Sequence, residues 1–268
     1  MQGTCKCIRT GCCGQKNSKT EEEKKMDLAG KVVLVTGANG GIGWALVQEL
    51  LERGAAKVYA AARNIQAVAE MAKFDPGRVV ALRIDVTHET SVATAAAQCQ
   101  DVDLVINNAG VNHCKSLLDP DGLDCARQEI KVNYLGTLSM CRAFAPVLAA
   151  RGGAIANVCS ILGLVNLPVN GTYSASKAAG HSLLQGVRAE LAPRGVKVYG
   201  VYPGPVDTRM TAGQEMEKAT PSQVAKMILD GIAKDEEYIF PDAMSLDVRK
   251  GLLHAPKEVE KEFGAMIP

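Results

Sequence analysis

The chain has 268 residues, of which 47% are apolar and 22% are charged. Its 30 Lys and Arg residues nearly balance its 29 Asp and Glu residues, so the formal net charge is +1 at pH 7. This balance excludes the surplus basic field that drives nonspecific binding to nucleic acid or anionic lipid. No apolar run approaches the ~20 residues of a membrane-spanning helix, and residues 1–25 lack the apolar core of a secretory signal. We therefore expect a soluble, cytoplasmic protein.

The first 27 residues differ in composition from the rest of the chain. Four of the nine cysteines, Cys5, Cys7, Cys12 and Cys13, crowd into this segment, which continues as a polar and charged run. This composition predicts a disordered, solvated extension. S-acylation or a soft metal at these cysteines are the alternatives, although their spacing is not the paired C-x-x-C of a zinc site. The other five cysteines lie in apolar or helical stretches and are predicted to be reduced.

From residue 28 onward, short β-branched runs alternate with longer stretches of helical period. The predicted strands are 31–36, 57–61, 79–84, 102–106, 154–158 and 196–201, with a seventh at 238–240. The predicted helices are 42–53, 65–73, 91–98, 124–150, 173–192 and 221–234. This strict alternation predicts one α/β domain over residues 28–268, a doubly wound parallel sheet with helices on both faces. In such a sheet, ligands bind beyond the carboxyl ends of the strands.

A glycine-rich turn follows the first predicted strand and leads directly into the first helix. Its sequence, from Gly37 through Asn39, Gly41 and Ile42 to Gly43, has the spacing G-x-x-x-G-x-G. Glycines at these positions permit a tight turn, a close approach of backbone to a pyrophosphate, and close packing of helix on strand. The alternative is an ordinary glycine-rich loop, but the flanking strand and helix favour a dinucleotide site.

Further motifs follow the later strands. They are Asn107-Asn108-Ala109-Gly110, then Asn133, Ser160, the Y-x-x-x-K pair Tyr173 and Lys177, and Pro203-Gly204. Together with the glycine turn, they resemble the short-chain dehydrogenase/reductase family over residues 28–245. The resemblance implies a Rossmann fold, a nicotinamide dinucleotide cofactor and oxidoreductase activity. It also implies that Asn108, Ala109 and Gly110 support the sheet and the adenine side of the cofactor.

The end of the second predicted strand bears on which dinucleotide binds. An acidic residue here would accept a hydrogen bond from the ribose of NAD, but Ala62 occupies the place and Arg63 follows. Because a guanidinium suits a phosphate, Arg63 predicts NADP(H) rather than NAD. The alternative is a surface arginine that opens the next helix. The turn itself has Asn39-Gly40 where NADP-preferring members of the family often carry a second basic residue, and Asp85-Val86 resembles the pair that meets the adenine.

Tyr173 and Lys177 lie one helical turn apart, so their side chains project from one face. A phenol with a pKa near 10 is a poor acid-base catalyst at neutral pH. An ammonium ~5 Å away, at an effective dielectric constant of ~20, favours the phenolate by about 3 kcal/mol, or roughly two pK units. We therefore predict that Lys177 lowers the pKa of Tyr173. The resemblance implies that Tyr173 exchanges a proton with the substrate oxygen and that Lys177 holds the ribose.

The resemblance assigns supporting roles to other residues. Ser160 supplies a hydroxyl to the substrate oxygen, and Asn133 orders a water that links Lys177 to solvent. The segment from Pro203 and Gly204 through Pro205 to Val206 and Thr208 looks like the family's nicotinamide clamp, with the Val206 amide and the Thr208 hydroxyl on the carboxamide. Alone, each residue type also fits a turn, a helix irregularity or an exposed pair.

The predicted substrate wall is mostly apolar and lies after the strands. Its members, besides Ser160 and Tyr173, are Val111, Asn112, Leu162, Val165, Tyr202, Pro205 and Met210. Such a wall suits a ketone or aldehyde with a hydrophobic body, and the short segment 210–220 suggests an open, permissive pocket. The four histidines, His88, His113, His181 and His254, have no metal-ligand spacing, so no metal is predicted.

These observations predict an NADPH-dependent carbonyl reductase, or an alcohol dehydrogenase in the reverse direction. The alternatives are a dinucleotide sensor or scaffold without chemistry, and an NAD-dependent alcohol dehydrogenase. An epimerase or dehydratase of the longer branch of the family would need a larger carboxyl-terminal domain. The helices predicted at 124–150 and 173–192 resemble those that pair family subunits, so a homodimer or homotetramer is expected.

Overall fold

Seven parallel strands form one sheet in the order β3-β2-β1-β4-β5-β6-β7. The structure, a computed structural model, describes residues 26–267. The four amino-terminal cysteines and nearly all of the predicted extension lie outside the described residues. The strands are β1 Val32–Thr36, β2 Lys57–Ala62, β3 Val79–Arg83, β4 Leu104–Asn107, β5 Ala154–Val158, β6 Lys197–Val201 and β7 Tyr238–Ile239. The predicted doubly wound parallel sheet is confirmed, and the strand boundaries differ from the prediction by at most two residues, with β5 predicted at its observed boundaries.

Successive residues of each strand point to opposite faces of the sheet, and two hydrophobic cores result. One row of paired residues packs against the core on the side of the helices Gly41–Glu52 and Pro221–Ala233. It consists of Ala60, Val35, Ile106, Ala156 and Tyr199. The next row packs against the core on the side of the helices Glu89–Gln98, Thr137–Arg151 and Gly171–Leu191. It consists of Tyr59, Leu34, Val105, Ile155 and Val198. Because both faces are covered, the strands read as continuous apolar runs.

Nine α-helices lie within residues 26–267. They are α1 Gly41–Glu52, α2 Ile65–Ala72, α3 Glu89–Gln98, α4 Gly122–Glu129, α5 Thr137–Arg151, α6 Gly171–Leu191, α7 Pro221–Ala233, α8 Ala243–His254 and α9 Pro256–Gly264. None of the helices between residues 26 and 267 is long and apolar enough to cross a membrane.

The helix predicted at 124–150 is not one regular helix. A π-helical stretch, Ile130–Gly136, separates α4 from α5 and holds Asn133 near its centre. Such stretches within helices often occur at functional sites because the extra residue per turn re-aims the side chains. Helical period alone predicts the length of this element but not the local change in winding.

The two helices after β7 were not predicted from the sequence, although their start signals are present. Asp242 caps α8 and exchanges hydrogen bonds with Ser245, in the pattern of a capping box. Pro256 occupies the first position of α9, where its missing N–H costs nothing. These short helices bring carboxyl-terminal side chains to the site described next.

Candidate functional site

A crevice of about 410 Å³ lies beyond the carboxyl ends of β1, β4, β5 and β6. One end is formed by the glycine turn and residues 108–110, and the middle by residues 158–162 with Tyr173 and Lys177. The opposite end is formed by residues 203–211 and by side chains from α8, α9 and the chain that follows. The order of the strands reverses between β1 and β4, which is where an open parallel sheet leaves room for a ligand.

The glycine turn is held in place by the segment after β4. The Asn108 amide nitrogen of the side chain donates to the carbonyl oxygens of Thr36 and Gly37 at 3.0 and 3.2 Å. A Cβ on Gly43 would lie 2.2 Å from the Gly37 carbonyl oxygen, so no other residue fits there without movement. Gly41 adopts φ +53°, in the left-handed region that favours glycine. The backbone is therefore shaped to approach a ligand closely at the start of α1.

A smaller pocket of about 190 Å³ adjoins the turn on the side of β2 and β3. Arg63, Asp85 and Val86 line it together with Gly37 and Asn39. Burial disfavours the charged form of Asp85, but hydrogen bonds from Thr87 and the charges of His88 and Arg63 lower the pKa of this carboxyl. Arg63 forms no ion pair with any residue between 26 and 267, so its guanidinium is available to an anion.

Tyr173 and Lys177 meet in the middle of the larger crevice. The Lys177 ammonium lies 5.5 Å from the centroid of the Tyr173 ring and donates to the Val158 carbonyl oxygen at 2.9 Å. Both side chains are buried in the fold yet line the crevice. Gly110 also lies beside this ammonium, since a Cβ on it would be 3.5 Å from the Lys177 nitrogen, an ordinary contact distance.

The predicted direction of the Tyr173 pKa is wrong for this geometry. Burial raises the pKa of Tyr173 well above its usual value, and the hydrogen bond with the Ser160 hydroxyl offsets only part of this effect. Burial also lowers the pKa of Lys177. Removing a group from water disfavours its charged form, and the spacing of Tyr173 and Lys177 in the sequence does not reveal this cost. Burial therefore shifts both pKa values in the direction of the neutral side chain.

Ser160 lies between the end of β5 and the clamp segment. Its hydroxyl accepts from the Leu162 amide at 3.1 Å and donates to the Pro203 carbonyl oxygen at 3.5 Å. The latter contact is at the long limit of a hydrogen bond, so the proton can turn toward a ligand in the crevice at little cost. Ser160 and Tyr173 therefore present two hydroxyls to the same space.

Asn133 fastens the loop after β4 to α6. Its amide nitrogen donates to the Val111 carbonyl oxygen and to the Ser176 hydroxyl, and its oxygen accepts from the Val111 amide, each at 2.9 Å. The same oxygen would lie 3.3 Å from a Cβ on Gly110. Through these contacts, the π-helical stretch links the loop after β4 to Ser176, the residue that precedes Lys177 in α6. The water and proton relay predicted for Asn133 stays a prediction.

The segment after β6 borders the crevice from Pro203 to Thr211. The Gly204 amide donates to the Asp242 carboxylate at 2.8 Å, which ties the predicted clamp to the start of α8. Val206 is buried, and the Thr208 hydroxyl accepts from the Met210 amide at 3.3 Å. The clamp residues Pro203, Gly204, Pro205, Val206 and Thr208 all line the crevice, as do the turn residues Gly37, Asn39, Gly41 and Ile42.

The predicted substrate wall is brought together only in part. Asn112, Leu162, Pro205 and Met210 line the crevice. Val111 lies on the smaller pocket instead. Val165 and Tyr202 are buried in the core outside the lining, where the Tyr202 ring stacks on Phe240 and its hydroxyl lies 2.7 Å from the His181 ring nitrogen.

Among the lining residues that were not predicted, four apolar ones come from segments without a recognised motif. They are Met216, Met244, Phe263 and Met266. Met216 lies in the segment before α7, and the other three follow β7 in the chain. Their only signal in the sequence is an apolar side chain in an otherwise polar stretch, and the structure leaves the three methionines 44 to 50% exposed. Exposed methionines clustered around a cavity are typical of adaptable binding surfaces.

Three side chains carry a buried oxygen without a hydrogen-bond partner in the described part of the chain. They are Asn107 at the end of β4, Asn170, which precedes α6 and lines the crevice, and Glu129, whose second carboxylate oxygen accepts from the His113 amide at 2.8 Å. Such unpaired buried groups are uncommon in folded proteins. Between residues 26 and 267, no group of three or more His, Cys, Asp or Glu side chains is arranged to hold a metal ion.

Comparison with known proteins agrees with this geometry. The family model described as short chain dehydrogenase matches residues 31–219. An uncharacterised oxidoreductase of Staphylococcus aureus (strain USA300) is 38% identical over 213 residues, which cover 75% of this chain and 90% of that protein. A short chain dehydrogenase from Burkholderia cenocepacia J2315, solved in complex with NADP, is 40% identical with a TM-score of 0.84, over 89% of this chain and 99% of that one. A short chain dehydrogenase/reductase from Burkholderia phymatum, solved in complex with NAD, is 25% identical with a TM-score of 0.77, over 88% and 96% of the two chains.

Proposed function

Because the chain belongs to the short-chain dehydrogenase/reductase family, an oxidoreductase family, we propose that it interconverts a ketone or aldehyde and the corresponding alcohol with NADP(H). The observation that carries this proposal is the convergence of Ser160, Tyr173 and Lys177 on one crevice whose other end is the glycine turn. Two hydroxyls and a lysine in this arrangement fit a carbonyl oxygen, and the turn fits a pyrophosphate.

The residues around the turn fit a dinucleotide. Gly43 permits helix α1 to start against the strand, where backbone amides face an anion. In the proposal, the turn residues from Gly37 to Gly43 hold the pyrophosphate, and Asp85, Val86 and residues 108–110 border the adenine. The clamp from Pro203 to Thr208 and the Lys177 ammonium hold the nicotinamide half. When bound, the nicotinamide supplies or accepts a hydride.

The preference for NADP(H) rests on Arg63. This guanidinium lies on the smaller pocket and has no ion-pair partner between residues 26 and 267, which leaves it able to hold a 2′-phosphate. The 40% identical structure in complex with NADP supports this choice. The 25% identical structure in complex with NAD supports the coarser statement that the family binds nicotinamide dinucleotides.

In the proposal, Tyr173 gives its proton to the carbonyl oxygen. Burial raises the pKa of its phenol, so Tyr173 holds its proton at neutral pH but gives it up less readily than an exposed phenol does. Ser160 donates a second hydrogen bond to the same substrate oxygen and stabilises the charge that develops there. Through its three hydrogen bonds, Asn133 holds the loop after β4 against the part of α6 that carries Lys177.

The substrate in this proposal has a hydrophobic body attached to the carbonyl group. The end of the crevice beyond Tyr173 is lined by Leu162, Phe263 and the methionines 210, 216, 244 and 266. An apolar wall with one polar end orients such a molecule with its oxygen toward Tyr173. Because unbranched methionine side chains adapt their shape, we propose that several bulky ketones or aldehydes are accepted.

The test is NADPH oxidation with a panel of bulky and small carbonyl compounds. We expect turnover by the wild type, and a loss of about 10²- to 10⁴-fold in kcat for Tyr173→Phe with NADPH binding retained. Tyr134→Phe is the matched control because it removes the hydroxyl of a half-buried tyrosine that does not line the crevice. Wild-type protein that binds NADPH but reduces no carbonyl compound would favour a sensor or scaffold. The same assay with NADH tests the preference for NADP(H).

A further inference from the structure

Arg209 reaches across the crevice from the clamp to the glycine turn. It opens the 3₁₀ turn Arg209–Thr211 directly after Thr208. Its guanidinium donates to the Asn39 carbonyl oxygen at 3.3 Å, and a Cβ on Gly40 would lie 3.2 Å from the same nitrogen. The residue is distant from the turn in the chain, so sequence motifs gave no reason to connect them.

The positive charge of Arg209 is not neutralised by the protein. Its side chain is exposed, lines the crevice and makes no ion pair with residues 26–267. A guanidinium has five N–H donors and stays charged at every physiological pH. The contact with Asn39 uses one donor at a long distance, so the remaining donors are free to hold an anion.

We propose that Arg209 binds the pyrophosphate of the dinucleotide from beside the Asn39-Gly40 segment of the turn. This inference rests on the proposed function. The position of the guanidinium against Gly40 favours the pyrophosphate over the other anionic groups of the cofactor, because the turn is where backbone amides of α1 meet an anion. Arg63 lies on the smaller pocket, on the other side of Asn39.

The two arginines then have separable effects. Arg209 acts on a group that NADH and NADPH share, whereas Arg63 acts on the 2′-phosphate that only NADPH carries. Arg209 is the only arginine or lysine among the lining residues from 203 to 266, and its guanidinium lies at Asn39 and Gly40 of the turn. This location argues against a role of Arg209 in holding an apolar substrate.

The experiment is calorimetric titration of NADPH and NADH into wild type, Arg209→Gln, Arg209→Lys and Arg63→Gln. For Arg209→Gln we expect both dissociation constants to rise by a similar factor of about tenfold at low salt. The dissociation constants of Arg209→Lys should lie between those of the wild type and Arg209→Gln, because lysine keeps the charge but not the planar guanidinium with its several donors. Arg63→Gln should weaken NADPH binding alone. Since Arg209 is exposed, thermal unfolding of the variant should match the wild type.

Three results would overturn the inference. Weakening of NADPH alone by Arg209→Gln would assign the residue to the 2′-phosphate. Unchanged dissociation constants with a raised KM for the carbonyl compound would assign it to the substrate. No change in the dissociation constants or in KM would show that Arg209 only holds the Asn39 backbone in place. Wild-type protein that binds neither dinucleotide would refute the proposed function together with this inference, so the two failures are distinguishable.

Discussion

The two ends of the crevice are built in different ways. At the turn end, backbone shape decides what fits, because a Cβ on Gly43 would collide with the Gly37 carbonyl oxygen at 2.2 Å. At the opposite end, flexible side chains determine which ligand fits, and Met216, Met244 and Met266 are each about half exposed. A rigid end suits one invariant ligand, whereas an adaptable end suits a range of ligands. In the proposed function, the rigid end holds the dinucleotide and the adaptable end holds substrates of several shapes.

The difference also extends to hydrogen bonding. Around the turn, Asn108 and Thr36 make four hydrogen bonds that join β1 to the segment after β4. At the methionine end, the Gly204 amide donates a hydrogen bond to the Asp242 carboxylate. The ends of the methionine side chains there form no hydrogen bonds within residues 26–267. A single substitution should therefore have a large effect at the turn and a small one at the wall.

The largest effect is expected for Gly43→Ala. The added methyl group meets backbone that cannot move aside, so α1 must shift from β1. Overpacking of this kind costs about 1–3 kcal/mol of stability, and the shift should weaken NADPH binding by more than tenfold. Thermal unfolding and titration with NADPH measure the two effects.

Gly186→Ala is the matched control for this substitution. Gly186 also lies in a helix, α6, but is exposed and has open space around its Cβ position. Replacing a helical glycine by alanine here should raise stability by up to about 1 kcal/mol and leave NADPH binding unchanged. Equal behaviour of the two variants would contradict the idea of a rigid turn end.

The rigid end is also the part that could be predicted from the sequence. Gly37, Gly41 and Gly43 form a compact pattern directly after a strand, and Ser160 also follows a strand end. The parallel sheet follows from alternating apolar runs, because strands buried on both faces need continuous apolar residues. Local patterns were sufficient for the fold, whereas the roles predicted for Tyr173 and Lys177 came from the resemblance to a family.

The rest depends on contacts between distant segments. Met244 and Phe263 reach the crevice only because α8 and α9 fold back over it, and no local pattern encodes that path. Arg209 meets Asn39 for the same reason. The pKa of Tyr173 could not be predicted from its spacing to Lys177, since desolvation depends on all the atoms that surround the phenol.

An intermediate effect is expected in the pH dependence of carbonyl reduction. Burial raises the pKa of Tyr173, so the phenol keeps its proton from neutral pH to well above its ordinary value near 10. The rate should stay level between about pH 6 and pH 9 and fall only at higher pH, where the proton is lost. Initial rates at saturating NADPH in buffers of constant ionic strength measure this profile.

Ser160→Ala sharpens the same measurement. The hydrogen bond from Ser160 partly opposes the effect of burial on the Tyr173 pKa, so its loss should move the alkaline limb to still higher pH while kcat falls. A decrease in the wild-type rate that begins near pH 7 would show that the charge of Lys177 outweighs burial. The pKa of Tyr173 would then be lowered, as predicted from the sequence.

The smallest effect is expected at the methionine end. Met244→Ala removes a half-exposed side chain from the wall and should raise KM for a bulky ketone by only about two- to fivefold, with kcat for a small aldehyde unchanged. Met227→Ala on α7 is the control, because Met227 is similarly exposed but does not line the crevice. Because neighbouring methionines can fill the gap, the loss should be smaller than at Gly43. If Met244→Ala instead abolishes turnover of every substrate, the wall is as rigid as the turn, and the contrast between the two ends does not hold.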